Sequence, residues 1–560
     1  MIINVKRDQA IENQAGLACF RQQIDKADAT LGYFALAWLV LLHFMILNHA
    51  GALWRDEVNS VNISQLPSLT SVFKMNEFES YPVLWLVILR CWYFLGLGTP
   101  DSSLRILGLI MGLGIIAALW WSAQNFHCKV PLISIAIFCC SPSVIRYGDS
   151  MRAYGCGMLL MLLMLTAIWR LTQKPTMART LAALAISIMS VHCLYYNSIL
   201  LFVGIVAGVS VCLRRNAWKT AGIIIGIGGG AALSLMPYVP MISRVQRWNI
   251  LVKVPINVPW LGYKFYEAIS PSGLLMIWVW IGLYVTSVLV CFDRFVKPDP
   301  EIHDHQKDLP LFVGVALLLG LIVYILFLRF LSYLTQPWYY LLLMAFLAVL
   351  FEAAIQLLVQ SRVGWRILRL VSVAFILLLT AANAWRATKI RMTNVDLISA
   401  KLESVAKRND LIVLHPWWPG MTFSRYFKGS TPWVTLPEIA DHSFARYDLL
   451  KTKMAEAEPI KPILEQITQT LKSGHQVWIL CALPILSFGE KPEYLPPAPN
   501  GAYGWYEGPY ELYWILQAAR LVKIHAQTLV EVPVPVNAPI NTYEDYRLFR
   551  VDGWRSAESE

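Results

Sequence analysis

LGYFALAWLVLLHFMILNHAGALWRDE, Leu31 to Glu57, decides how the chain reads. Its first part, Leu31 to Leu47, is almost wholly apolar and long enough to cross a bilayer. Its far end carries Trp54, Arg55 and two adjacent acids, Asp56 and Glu57. Acids beside hydrocarbon are expensive to hold and call for a reason. One reason is plain solvation at a loop start. The other is a catalytic carboxylate placed where a lipid-borne substrate meets water.

Working outward, the same apolar pattern repeats. The 560 residues are 57% hydrophobic and 15% charged, with mean hydropathy +0.51. That composition excludes an ordinary soluble domain. Apolar stretches at 31–48, 104–123, 130–146, 153–171, 180–196, 197–213, 220–240, 273–292, 309–330, 338–359 and 366–385 predict about 11 spans. A further stretch, 81–98, holds Pro82 and Arg90 and ends on Gly96 and Gly98. If it does not cross and the N-terminus is cytoplasmic, the basic loops fall on the cytoplasmic side. Those loops carry Lys129, then Arg170, Lys174 and Arg179, then Arg214, Arg215 and Lys219, then Arg294 and Lys297, then Arg362, Arg366 and Arg369. The positive-inside rule selects this arrangement. The 81–98 segment is then a membrane-embedded helix within a long first external loop, 49–103. Residues 1–30 lack the apolar core of a cleavable leader and read as a cytoplasmic N-terminal segment.

This topology puts Asp56 and Glu57 on the same face as the second ionic cluster, Arg146-Tyr147-Gly148-Asp149-Ser150-Met151-Arg152. Beyond about residue 390, charges and prolines return. Asp410 to Leu414 and Gln476 to Leu480 read as buried strands, each preceded by a helix, 394–407 and 459–473. The fold class is therefore mostly α: a polytopic helical membrane protein with a C-terminal external α/β domain, 390–560. The net charge of +11 sits largely in loops between spans and does not indicate nucleic acid. The ten cysteines lack metal-ligand spacing. The run Gly226 to Gly230 lies inside a span, where it serves helix packing rather than nucleotide binding.

In this order the pieces resemble the GT-C superfamily of integral-membrane glycosyltransferases, in the branch of the protein O-mannosyltransferases and lipid A aminoarabinose transferases. Trp54-Arg55-Asp56-Glu57 resembles that family's acidic motif, and Glu79-Ser80-Tyr81-Pro82-Val83-Leu84-Trp85 its embedded-helix segment. Arg105 to Leu109 resembles the start of its second span, and Ser141-Pro142 through Asp149 and Arg152 its second external loop. Tyr81 departs from the usual His or Pro, and Gln336-Pro337-Trp338-Tyr339-Tyr340 stands where relatives often have Arg-Tyr. The resemblance implies residues 31–389 as a GT-C-like domain in a bacterial cytoplasmic membrane, with the C-terminal domain on the periplasmic side. It implies a polyprenyl-phosphate-linked sugar as donor, and a surface glycan, lipid A or protein as acceptor.

Such a transfer needs a carboxylate base for the acceptor hydroxyl and cations for the departing phosphate. Asp56 reads as the base, with Glu57 and Asp149 as further catalytic acids. Arg55, Arg146, Arg152, Arg244, Arg247, Lys253 and Lys264 are the phosphate candidates; the alternative for each is an interfacial cation. Glu79, Tyr81, Tyr263 and Tyr266 are expected along a substrate groove, and His192 as a structural histidine. An acid pair can also hold a divalent metal, but no Asp-x-Asp occurs in the second loop, so no cofactor is expected. An oligosaccharide ligase with a diphosphate-linked donor and a lipid or glycan transporter remain the competing classes.

Overall fold

The computed structural model describes residues 2–297, 308–360, 363–482 and 492–555, with side chains from residue 19 onward. Arg362 lies outside the described residues. Among the described residues nine helices are long and apolar enough to cross a membrane: Cys19–His49, Asp101–Asn125, Tyr154–Gln173, Tyr196–Arg214, Trp218–Val245, Met276–Val296, Asp308–Leu331, Pro337–Val359 and Val363–Ala387. Helices satisfy their own backbone groups, which hydrocarbon demands. The chain is an integral, multi-pass membrane protein.

Two of the eleven expected spans differ. Met177–Cys193 is an apolar helix of only 17 residues. The 130–146 stretch is broken into Leu132–Ser134, a π turn at Ile135–Cys139, and Pro142–Gly148. Pro142 has no N–H to continue the ladder, and it holds Ser141 in extended backbone at ψ 126°. At the other end of this segment the buried Glu352 carboxylate accepts the Ile133 and Ser134 amides at 2.7 and 2.9 Å. The 81–98 segment forms Leu84–Phe94, 11 residues and so roughly 16 Å long. That is about half a hydrocarbon core. Arg90 ties it back to the first loop through the carbonyls of Ser64 and Pro67, at 3.1 and 3.0 Å.

The first helix fixes two ends of the molecule. Near its start, Asp25 pairs with Lys129 and Arg366, both at 3.0 Å, and Asp28 pairs with Arg369. Its last residue is His49, some 24 residues and roughly 35 Å further on. Arg55 and the C-terminal sheet lie at that second end.

The sheet has five strands, β1 (Leu411–His415), β2 (Trp433–Thr435), β3 (Val477–Cys481), β4 (Ala526–Val532) and β5 (Arg547–Trp554), ordered β2-β1-β3-β5-β4. β1 is parallel to β2 and β3, while β5 is antiparallel to β3 and β4. β1 and β3 are buried throughout, which accounts for their unbroken apolar runs. Side chains alternate between two cores: Leu411, Val413 and Ile479 face the Lys461–Lys472 and Glu507–His525 helices, and Ile412, Leu414 and Trp478 face the Val395–Val405 helix. The domain is fastened to the first loop. Tyr426 accepts the Leu53 amide at 2.7 Å and donates to Asp101 at 2.5 Å; Arg425 pairs with Asp101 at 2.6 Å. Asn59 accepts the Ala445 amide at 3.0 Å.

Candidate active site

The Arg55–Ser64 helix starts at the acid pair. Trp54 is its N-cap, and the Glu57 carboxylate reaches back to the Trp54 amide at 3.2 Å. Adjacent helical residues point about 100° apart, so the two acids face different surroundings. Glu57 turns inward and is fully buried. It takes two bonds from Arg105, at 2.6 and 2.9 Å, and one from the Met151 amide at 2.9 Å. The expected catalytic acid is thus a clamp joining both loops to the second span, and its cation is Arg105 rather than Arg55.

Asp56 turns the other way and keeps 32% of its side chain exposed. Its nearest cation is Arg55, at 3.6 Å. Among the described residues its carboxylate accepts no hydrogen bond. Its charge acts on Tyr147, Arg152, Tyr154, Tyr339 and Tyr447, which come from three separate stretches of chain. The carboxylate therefore sits where its own loop, the 142–154 segment, the Pro337–Tyr340 turn and the C-terminal domain converge.

Arg152 is buried beside it. One terminal nitrogen reaches Glu79 at 2.7 Å, and Ser60 Oγ and the Asp56 carbonyl at 3.1 Å; the other reaches Ser80 at 3.1 Å. Glu79 also accepts from Ser60 at 2.7 Å, and the Tyr81 hydroxyl lies 2.6 Å from the same Ser60 oxygen. Burial raises the Glu79 carboxyl above its ordinary range, with Arg152 opposing. Glu79 and Tyr81 are packed into this cluster, so neither lines an open groove. Asp149 pairs with His43 of the first helix at 2.8 Å, with neither Arg146 nor Arg152. A Cβ on Gly108 or Gly112 would collide with Asp149, which is why the second span carries glycine there.

The remaining phosphate candidates separate by partner. Arg244 is bonded to Glu77 at 2.9 Å and Lys264 to Glu267 at 2.7 Å. Arg247 and Lys253 are exposed. Arg146 is half-buried, adjoins Tyr147, and pairs with no carboxylate among the described residues; its Nε has no hydrogen-bond partner. Tyr147 thus feels both Arg146 and Asp56. Tyr263 is 53% exposed on the Val258–Ile269 helix, and Tyr266 is half-buried on it. His192 bridges Tyr238 and Ser234, both at 3.0 Å, in a structural setting. Among the described residues no group of three or more His, Cys, Asp or Glu is placed to hold a metal ion.

Several members of the site escaped sequence reasoning. His43 had a signal, an ionisable group inside an apolar run. Glu507 and Glu511 had a weaker one, like charges one turn apart on a helix, an unfavourable spacing that needs compensation. Glu544 had none.

No family model and no curated protein matches the chain. Solved structures do. ArnT from Cupriavidus metallidurans, bound to undecaprenyl phosphate, matches 80% of this chain and 92% of its own, with TM-score 0.50 and 13% identity. The same protein in the apo state gives 0.46 over the same shares, again at 13%. The Archaeoglobus fulgidus oligosaccharyltransferase in complex with Zn and sulfate gives 0.47 at 10% identity, over 90% of this chain and 74% of that one. The first of these establishes the architecture: the chain shares the overall fold of that structure.

Proposed function

We propose that this protein is a glycosyltransferase that moves one sugar from a polyprenyl-phosphate carrier to an acceptor hydroxyl, with Asp56 as general base. The observation that carries the proposal is the state of Asp56. In a region where Glu57, Glu79 and Asp149 are each bonded to a cation or a histidine, Asp56 alone of these keeps a half-open carboxylate free of hydrogen bonds. A base must have that freedom to take a proton.

The acceptor oxygen attacks the anomeric carbon as its proton passes to Asp56. The carbon–phosphate-oxygen bond breaks, and its electron pair leaves with the phosphate. A single displacement inverts the anomeric centre. Arg146, the half-buried cation without a carboxylate, is the best placed to meet the growing phosphate charge, with Lys264 as a second cation. Arg152 and Glu57 hold the two loops in register. That the matching ArnT was solved with undecaprenyl phosphate supports this donor class. The basic residues gathered around Asp25 and Asp28, far from Asp56, support catalysis on the outer face of a bacterial cytoplasmic membrane.

The test is release of the free polyprenyl carrier from a panel of polyprenyl-phosphate and polyprenyl-diphosphate sugars, with cell-envelope membranes as acceptor and wild type compared with Asp56→Asn in lipid. Release by wild type and its loss in the variant are expected. Release only from diphosphate-linked donors would replace this reading with the oligosaccharide ligase.

A further inference from the structure

Beside Asp56, on the side of the C-terminal domain, stands a group of charges that the reaction above leaves unused. Glu507 and Glu511 lie one turn apart on the Glu507–His525 helix, and Glu544 lies just before β5. Arg55 is the cation that acts on all three. Its Nε is 3.8 Å from Glu544, and its guanidinium lies 4.8 Å over the Trp418 ring. Burial opposes the Arg55 charge, but Asp56, Tyr546 and Glu544 outweigh it and hold the guanidinium protonated. Arg55 still keeps 22% of its side chain exposed, as Asp56 keeps 32%, so the group reaches solvent through these two side chains, between the first loop and the C-terminal domain.

The buried residues behind that opening are short of partners. Glu544 is fully buried, and neither carboxylate oxygen accepts a hydrogen bond. Thr393 and the Arg55 amide approach it without reaching hydrogen-bond geometry. One oxygen each of Glu507 and Glu511 is equally bare. The donors are stranded too. Trp417 Nε1–H, on a residue 1% exposed, approaches Glu511 without bonding it, and the Tyr546 hydroxyl, on a residue 4% exposed, has Trp418 and Arg55 close by but out of hydrogen-bond geometry. An unsatisfied buried group costs its full desolvation penalty, and native proteins keep few of them. So many together, around an opening that starts at the base, call for a partner from outside.

Their chemistry defines it. Donors and acceptors are interleaved, and Trp417, Trp418 and Tyr447 supply flat apolar faces. Sugar hydroxyls both donate and accept, and the C–H faces of a pyranose need such surfaces. An ammonium ion would satisfy the acceptors and leave Trp417 and Tyr546 bare. Burial also pushes the Glu507 and Glu544 carboxyls up to about 7, against Arg55. A site built for a cation would be held ionised. The other groups facing it are Asp56, Tyr447, Tyr546 and His415, whose Nε2 lies 3.1 Å from the Glu511 carbonyl.

We infer that the cleft formed by Arg55, Trp417, Glu507, Glu511, Glu544 and Tyr546 binds a neutral carbohydrate unit of the acceptor through its hydroxyls. The inference rests on the glycosyltransferase reading and narrows its acceptor from lipid, protein or glycan to a glycan.

Full-length protein in lipid nanodiscs is titrated with mannobiose, galactobiose and N,N′-diacetylchitobiose, and with glucosamine as the amine-bearing probe, and binding is followed by saturation-transfer NMR. A neutral disaccharide is expected to bind. Glu511→Gln, which mimics the uncharged acid, retains the affinity within about threefold, while Tyr546→Phe weakens it roughly threefold to tenfold. Glu511→Leu weakens it by about tenfold or more. Tyr546→Phe keeps the ring in place, so it serves if the leucine variant fails to fold. Binding of glucosamine alone, lost in Glu511→Gln and stronger above pH 7, overturns the inference in favour of a cation site. Failure of every neutral disaccharide, or binding indifferent to both Glu511→Leu and Tyr546→Phe, also overturns it. Release of polyprenyl phosphate by wild type, measured with cell-envelope membranes as acceptor, reports separately on the transferase reading. Release without disaccharide binding removes the subsite alone, and disaccharide binding without release removes the transferase alone.

Discussion

Two populations of buried charge meet at the Arg55–Ser64 helix, and they are built on opposite rules. On its inner side Glu57 with Arg105, Glu79 with Arg152 and Asp149 with His43 are each closed pairs at 2.6–2.8 Å. On its outer side Asp56 keeps an open carboxylate, Arg146 has no carboxylate partner among the described residues, and Glu507 and Glu511, one helix turn apart, each carry a bare oxygen. A buried pair contributes little net stability but fixes which groups stand together. Open carboxylates contribute none and are free to take a partner, whereas a bare guanidinium Nε occurs on both sides, at Arg105 and Arg152 as at Arg146. The difference separates the frame of the site from its working surface.

The sharpest way to break this division is to change neighbours in sequence that fall on opposite sides of it. Asp56→Asn should lower transfer by about 10²–10⁴-fold. Its thermal stability should stay within about 0.5 kcal/mol of wild type, since the carboxylate is a third exposed with one loose contact. Glu57→Ala should do the reverse. It strands Arg105 and the Met151 amide and should cost about 3–5 kcal/mol, seen as a fall in Tm and in the yield of monodisperse protein. A stable, inactive Glu57→Ala would move that acid into the chemistry.

Arg146 and Arg244 make the same comparison among cations. Arg146→Gln should slow release of polyprenyl phosphate by about 10²–10³-fold, the range for losing one stabilising donor at a developing charge. Arg244→Gln breaks a pair with Glu77 that is about a third exposed and should change the rate by less than about threefold. Equal effects from the two would remove partner state as a guide to which cation meets phosphate.

What the sequence revealed divides along the same line. Span positions, the two central strands and the Trp54–Glu57 start were legible because each rests on a local run: about 20 apolar residues, an unbroken β-branched stretch, or a charge beside hydrocarbon. Partners were not. Glu57 meets Arg105 across 48 residues, Asp149 meets His43 across 106, and neither spacing leaves a periodic trace. Asp149 lay beside Arg146 and Arg152 in sequence, which made a local pair the natural expectation. The turn at Pro142–Gly148 instead carries it to the first helix. The broken 130–146 span was half legible: Pro142 marks the break, but the Glu352 carboxylate that accepts the Ile133 and Ser134 amides is more than 200 residues away. The acids of the cleft belong to the C-terminal domain, whose Glu507–His525 helix gave no strong apolar period to announce it.

The smallest expected effect probes whether the outer population is bare because it awaits a partner. Burial raises the Glu544 carboxyl to about 7 from its ordinary 4.5. Between those values the folded protein keeps a proton that the unfolded chain has released. Stability from this group is therefore fully present below pH 4.5, falls as pH rises towards 7, and is gone above it. Glu544→Gln cannot ionise and escapes that loss, though it withdraws one partner from Arg55. Relative to wild type it should gain on the order of 2 kcal/mol between pH 5 and pH 8, read as a Tm difference that widens with pH. A saccharide in the cleft should shrink that difference, because hydroxyl donors would stabilise the ionised carboxylate of the wild type and do nothing comparable for the amide. A pH-independent difference would mean that Glu544 is already satisfied, and the contrast between closed frame and open surface would then end at Asp56.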